Sequence, residues 1–158
     1  MAAPTRTRYR HHYAEGALSS LKLENGNGHG STNTVIRRFS TIAVNNPGTS
    51  VTLTQSATLG DSVTINESGL YNIQYGDRSS SGIQTFGISI NSSQLTTNIA
   101  SITSGNRAAI AQSISGNGST QIGLDLRLSA GDVVRCHTDG ALDGTEVRTY
   151  FHIRKVGE

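Results

Sequence analysis

Histidine, cysteine and paired carboxylates are the side chains from which a metal site or a nucleophilic centre is built, and this chain offers few of them. Its five histidines are His11, His12, His29, His137 and His152, and Cys136 is its single cysteine. They show none of the spacings that gather zinc ligands, and neighbours such as His11 and His12 point to opposite sides of an extended segment. A metal stacked on a threefold axis by His152 is the one arrangement these histidines allow, and no metal or cofactor is expected. A serine nucleophile needs a positioned base and a third orienting group, and no Gly-x-Ser-x-Gly elbow occurs. Asp139 and Asp143 flank Gly140-Ala141-Leu142, where acids ordinarily serve the turn itself. Asn25-Gly26-Asn27-Gly28 lacks the following Lys-Ser/Thr of a phosphate loop. The acceptors Asn66-Glu67-Ser68, Asn91-Ser92-Ser93 and Asn117-Gly118-Ser119 carry meaning only on a secreted chain. No catalytic residue is expected, and the chain is read as a non-enzyme.

What chemistry remains lies near the N-terminus. Arg6, Arg8 and Arg10 project together if their segment is extended, with Thr7 and Tyr9 opposite. Residues 1–34 hold Arg6, Arg8, Arg10 and Lys22 against Glu15 and Glu24, which accounts for the whole net charge of +2. The rest of the chain is neutral, so no broad nucleic-acid surface is expected. Ala17, Leu18, Leu21 and Leu23 form a weak apolar patch that suits a helical turn or an extended strand equally. The glycine-rich Asn25 to Gly30 tract after it reads as a hinge. Residues 1–34 are therefore expected to be an arm, and residues 35–158 the folded domain. Within the arm, Arg6, Arg8, Tyr9, Arg10, His11, His12 and Tyr13 are expected to contact a partner, because so polar a segment gains order only against another surface.

The body that positions this arm reads as all-β. A chain of 158 residues suits one domain with a real core, and its 34% apolar, 15% charged, glycine-rich composition favours short strands joined by turns. Period-two runs predict strands over 35–44, 50–55, 62–66, 70–77, 84–91, 95–102, 107–115, 120–128, 132–138 and 147–156. Asn46-Pro47-Gly48, Leu59-Gly60-Asp61, Ser68-Gly69, Asn91-Ser92-Ser93, Gly116-Asn117-Gly118 and Ala130-Gly131-Asp132 supply the turns. The alternation is cleanest from Gln121 to Leu128: Ile122, Leu124, Leu126 and Leu128 share the face predicted to meet the core. Gln121, Gly123, Asp125 and Arg127 take the other. Cys136, in a strand between Arg135 and His137, reads as a small buried hydrophobe.

Four segments, in order, carry a resemblance. Ser68-Gly69-Leu70-Tyr71-Asn72-Ile73-Gln74-Tyr75 resembles the Gly-hydrophobic-Tyr strand of the tumour-necrosis-factor and complement globular-head superfamily. Phe86-Gly87-Ile88-Ser89-Ile90-Asn91 resembles its central strand. Leu126 to Val134, with Gly131-Asp132-Val133, resembles its Gly-Asp hairpin, and Thr149 to Val156 its closing aromatic strand. The resemblance covers residues 35 to 156. It implies an antiparallel ten-strand jelly-roll sandwich assembled as a homotrimer, with protomers meeting in a nonpolar stem near the closing strand. Tyr71, Tyr150, Phe151, His152 and Ile153 are the expected interface residues.

These readings together point to a structural binding protein. A single cysteine excludes an internal disulfide framework, and neither a membrane-length apolar run nor a secretory signal is apparent. The expectation is a trimeric decoration, or cement, protein of a tailed-phage capsid: made in the host cytoplasm, seated on the virion exterior, and bound to the major capsid protein through its arms. No membrane or direct nucleic-acid partner is expected. The alternative is the receptor-binding head of a phage tail or head fibre. A secreted cytokine-like ligand fits an exported chain, and no export signal is apparent.

Overall fold

The computed structural model describes residues 19–79, 82–113, 118–141 and 145–158. Ten strands run in chain order: β1 (Ser20–His29), β2 (Arg37–Asn46), β3 (Val51–Thr54), β4 (Ser62–Ile65), β5 (Gly69–Arg78), β6 (Thr85–Ile90), β7 (Arg107–Gln112), β8 (Ser119–Leu128), β9 (Val133–Thr138) and β10 (Thr145–Gly157). They form two five-stranded sheets in the orders β2-β1-β10-β5-β8 and β3-β4-β9-β6-β7, with every ladder antiparallel.

Alternation sets which side chains meet between the sheets. Leu21 and Leu23 of β1, Tyr71, Ile73 and Tyr75 of β5, and Phe151 and Ile153 of β10 face inward from the first sheet. Val63, Ile65, Phe86, Ile88, Val134 and Cys136 face them from the second. Tyr75 and Phe86 meet edge to face across the layers, with ring centroids 5.1 Å apart. Full burial of each such side chain is worth roughly 1.5–3 kcal/mol. On β8, Ile122, Leu124 and Leu126 pack against this core and Leu128 is buried, while Gln121, Gly123, Asp125 and Arg127 are exposed, as the alternation predicts.

The boundary expected at residue 34 is not where the fold begins. β1 is an internal strand of the first sheet, paired with β10 on one side and β2 on the other, so the supposed hinge from Asn25 to Gly30 lies largely within the sandwich. A buried ion pair explains one of its glycines. Arg37 is wholly buried, with Nε 3.1 Å from Asp77 Oδ2 and Nη2 donating to Asp77 Oδ1 at 3.1 Å and to Thr149 Oγ1 at 3.2 Å. Tyr75 and Thr149 hydroxyls donate to the same carboxylate at 2.5 and 2.7 Å. A Cβ on Gly26 would lie 2.4 Å from Arg37 Nη2, so only glycine lets the strand pass over the guanidinium.

The predicted strand over 95–102 is also corrected. That segment forms a connection with short 3-10 turns at Ile99–Ser101 and Ser104–Asn106. Its polar side chains satisfy the backbone locally: Asn98 Oδ1 accepts from Ala100 N–H at 2.8 Å, and Gln94 Oε1 from Thr103 N–H at 2.7 Å. Ile99 and Ile102 are buried as the connection crosses the outer face of the second sheet, where a Cβ on Gly87 would sit 3.1 Å from Ile99 Cγ1.

Candidate interaction surface

No described segment covers the outer face of the first sheet, and neighbouring strands place the same few side chains at its centre. Tyr150 of β10 stands opposite Gly76 of β5 and Glu24 of β1, and His152 stands opposite Gln74 and Lys22. Across the next ladder Gly76 pairs with Gln121, Gln74 with Gly123, and Asn72 with Asp125. A Cβ on Gly76 would be 2.4 Å from Tyr150 Cε1, so the tyrosine ring lies directly against the glycine backbone. Its hydroxyl donates to Gln121 Oε1 at 2.8 Å, and Lys22 Nζ is 6.0 Å from the ring centroid.

The surrounding groups hold one another. His152 Nε2 and Ser20 Oγ are 2.8 Å apart, Asn72 Nδ2 donates to Asp125 Oδ1 at 2.6 Å, and Lys22 pairs with Glu24 at 2.6 Å. Burial, Arg154 and Lys22 all lower the His152 pKa, which keeps the ring neutral at neutral pH. Two shallow depressions of about 140 Å³ each flank the tyrosine: Gln74, Gln121, Gly123 and Tyr150 line one, and Asp77, Thr120, Gln121, Arg148 and Tyr150 the other. The face is an aromatic anchor in a polar, hydrogen-bonded field.

That arrangement divides the five expected interface residues by strand period. Tyr150 and His152 are on the outer face. Phe151 and Ile153 are 2% and 1% exposed within a single chain, and Tyr71 is fully buried, its hydroxyl donating to Glu67 O at 2.7 Å. These three fill the core and are not free to meet a second protomer. The polar members Asn72, Gln74, Gln121 and Asp125 of this face come from β5 and β8. The outward set on β8 was legible in the alternation; the Gly76–Tyr150 contact, made across a ladder, was not.

The other singled-out residues have structural partners. His29 Nε2 is 2.9 Å from Thr138 Oγ1, and burial with the nearby Arg37 charge brings its pKa down to about 4. His137 is wholly buried on the outer face of the second sheet, its Nε2 2.7 Å from Thr97 O and its Nδ1 3.1 Å from Ser89 Oγ. A carbonyl can only accept, so Nε2 carries the proton and Nδ1 accepts from the serine. Asp139 accepts from the N–H groups of Thr85 and Ala141 at 2.6 and 3.0 Å, a turn role. Cys136 is buried, and that burial pushes its thiol pKa well up. Among the described residues no three His, Cys, Asp or Glu side chains gather as a metal site, and no helix is long and apolar enough to cross a membrane. Asp143 and the arm residues Arg6, Arg8, Tyr9, Arg10, His11, His12 and Tyr13 lie outside the described residues.

No family model matches the sequence, and no curated protein matches it. Solved structures do. The crystal structure of murine APRIL at pH 8.0 superposes with a TM-score of 0.60 at 14% identity, over 88% of this chain and 99% of that one. The fold is tumour-necrosis-factor-like. Murine APRIL at pH 5.0 gives a TM-score of 0.61 at 13% identity, over 88% and 99% of the two chains. At such identity the likeness establishes the TNF-like sandwich and nothing of what this chain binds.

Proposed function

We propose that this chain is a structural binding protein that assembles as a homotrimer through the outer face of its first sheet and, as a trimer, decorates and stabilises the head shell of a tailed phage. The observation that carries the assembly step is Tyr150, half-buried and held against Gly76 in the middle of a sheet face that no described segment covers. An aromatic ring already fixed by its neighbours loses little conformational freedom on association, and aromatic and arginine side chains are enriched where proteins meet. The described histidines, Asp139 and Cys136 are engaged in the fold itself, which favours binding over catalysis as the chain's work.

The lattice step rests on sequence. Arg6, Arg8 and Arg10 carry the charge excess of residues 1–13, and a trimer presents three such segments at once to a symmetric shell built from the major capsid protein. Co-sedimentation with undecorated heads across a salt series tests it. A trimer lacking residues 1–13 is expected to remain in the supernatant, and salt is expected to weaken attachment of the intact trimer, because exposed charges are screened within ~8 Å at physiological ionic strength. Full, salt-insensitive attachment of the shortened trimer would overturn the tether. Binding confined to a fibre tip would assign the chain to a receptor-binding head instead.

A further inference from the structure

Where β2 and β3 end their sheets, no described strand closes the sandwich. Between them runs a groove of about 410 Å³ lined by Ile42, Asn45, Pro47, Val51, Leu53 and Gln55, with room for roughly a dozen waters. Its apolar members are not all covered: Ile42 is 42% exposed. Two strand edges that no described strand pairs, with Ile42 exposed on one of them, form a surface that proteins ordinarily cover or blunt.

The chain's own course indicates what covers it. β1 begins at Ser20, opposite Asn46, and the preceding Ser19 hydroxyl donates to the carbonyl of Pro47, itself a lining residue. The first described residue, Ser19, is therefore anchored at the end of the groove. The five residues before it are Ala14-Glu15-Gly16-Ala17-Leu18, with Leu18 a single residue from that anchor. We infer that the groove seats the chain's own residues 14–18, with Ala17 and Leu18 over Ile42, Pro47 and Leu53. The root of the N-terminal segment is thereby fixed while Arg6, Arg8 and Arg10 stay free. This placement concerns one chain and stands whether or not the trimer or the capsid reading does.

Hydrogen exchange of the full-length protein tests it, read over residues 42–55 at several protein concentrations. Leu18→Asp puts a charge into the proposed seat; Ile42→Asp changes the groove side. Each is expected to speed exchange of that edge about tenfold or more, and β5 and β10 serve as internal controls for folding. Replacing Arg6, Arg8 and Arg10 by Ala is expected to leave it unchanged. Equal exchange in wild type and Leu18→Asp would overturn the inference. So would acceleration by the arginine replacements alone, or protection that grows with protein concentration, which would assign the groove to a second copy.

Discussion

The two outer faces of the sandwich are built from the same kind of strand and end in opposite conditions. On the second sheet the connection between β6 and β7 lies over the strands, burying Ile99 and Ile102 and tying Thr97 O to the wholly buried His137. On the first sheet no described segment does this, and Tyr150, His152, Gln121 and Asp125 form the outermost layer. One face spends its side chains on an internal cover. The other keeps an aromatic ring and hydrogen-bonded polar groups at the surface, which is where contact with another molecule costs the fold least.

The largest expected effect tests the sides of a single strand. Leu124→Asp places a charge against the core, at a cost of about 3 kcal/mol or more, and is expected to yield insoluble protein. Asp125→Ala, one residue on, removes an exposed side chain bonded to Asn72 and is expected to fold and melt within about 1 kcal/mol of wild type. Soluble Leu124→Asp beside aggregated Asp125→Ala in expression and thermal melting would reverse the assigned faces.

A smaller effect separates the covered face from the open one. Ile99→Ala empties a buried position under the connection and is expected to cost about 2–5 kcal/mol in denaturant unfolding. Tyr150→Ala on the open face is expected to cost a single folded chain about 1 kcal/mol or less, since the ring is only partly buried. Comparable losses would mean that the two faces do the same structural work.

The third expectation concerns acid. His29 has a folded pKa of about 4 against 6.5 when free. Between those values the unfolded chain takes up a proton that the folded chain refuses, so stability is lost as pH falls through this window and is unaffected above it. Burial also lowers the pKa of His137, which adds to the same trend, while it raises that of Asp61, which opposes it. Comparing wild type with His29→Gln cancels those other groups. The variant is expected to lose about 1–2 kcal/mol less between pH 7 and pH 4.5, after allowance for the ring's partial exposure. Parallel losses of denaturation midpoint would show that His29 titrates freely.

Period-two alternation made most of the sandwich legible, because a strand buried on one face writes that face into every second residue, as from Ile122 to Leu128. It failed where glycine was read as flexibility. Gly26 is a steric requirement imposed by Arg37, and such a partner eleven residues away is invisible to local pattern. It failed again at 95–102, where Asn98 and Gln94 satisfy the backbone in place of a ladder. The interaction face was half legible: the resemblance located β10, but whether Phe151 or Tyr150 points outward depends on register with β5 and β1.

Mass by light scattering at micromolar concentration, on wild type and on Tyr150→Glu, bears most directly on the open face as the surface of self-association. Wild type is expected at three times the 16.7 kDa of one chain, and Tyr150→Glu, with its charge set against a neighbouring protomer, as a folded monomer. A monodisperse wild-type monomer, or a Tyr150→Glu trimer as stable as wild type, would contradict it.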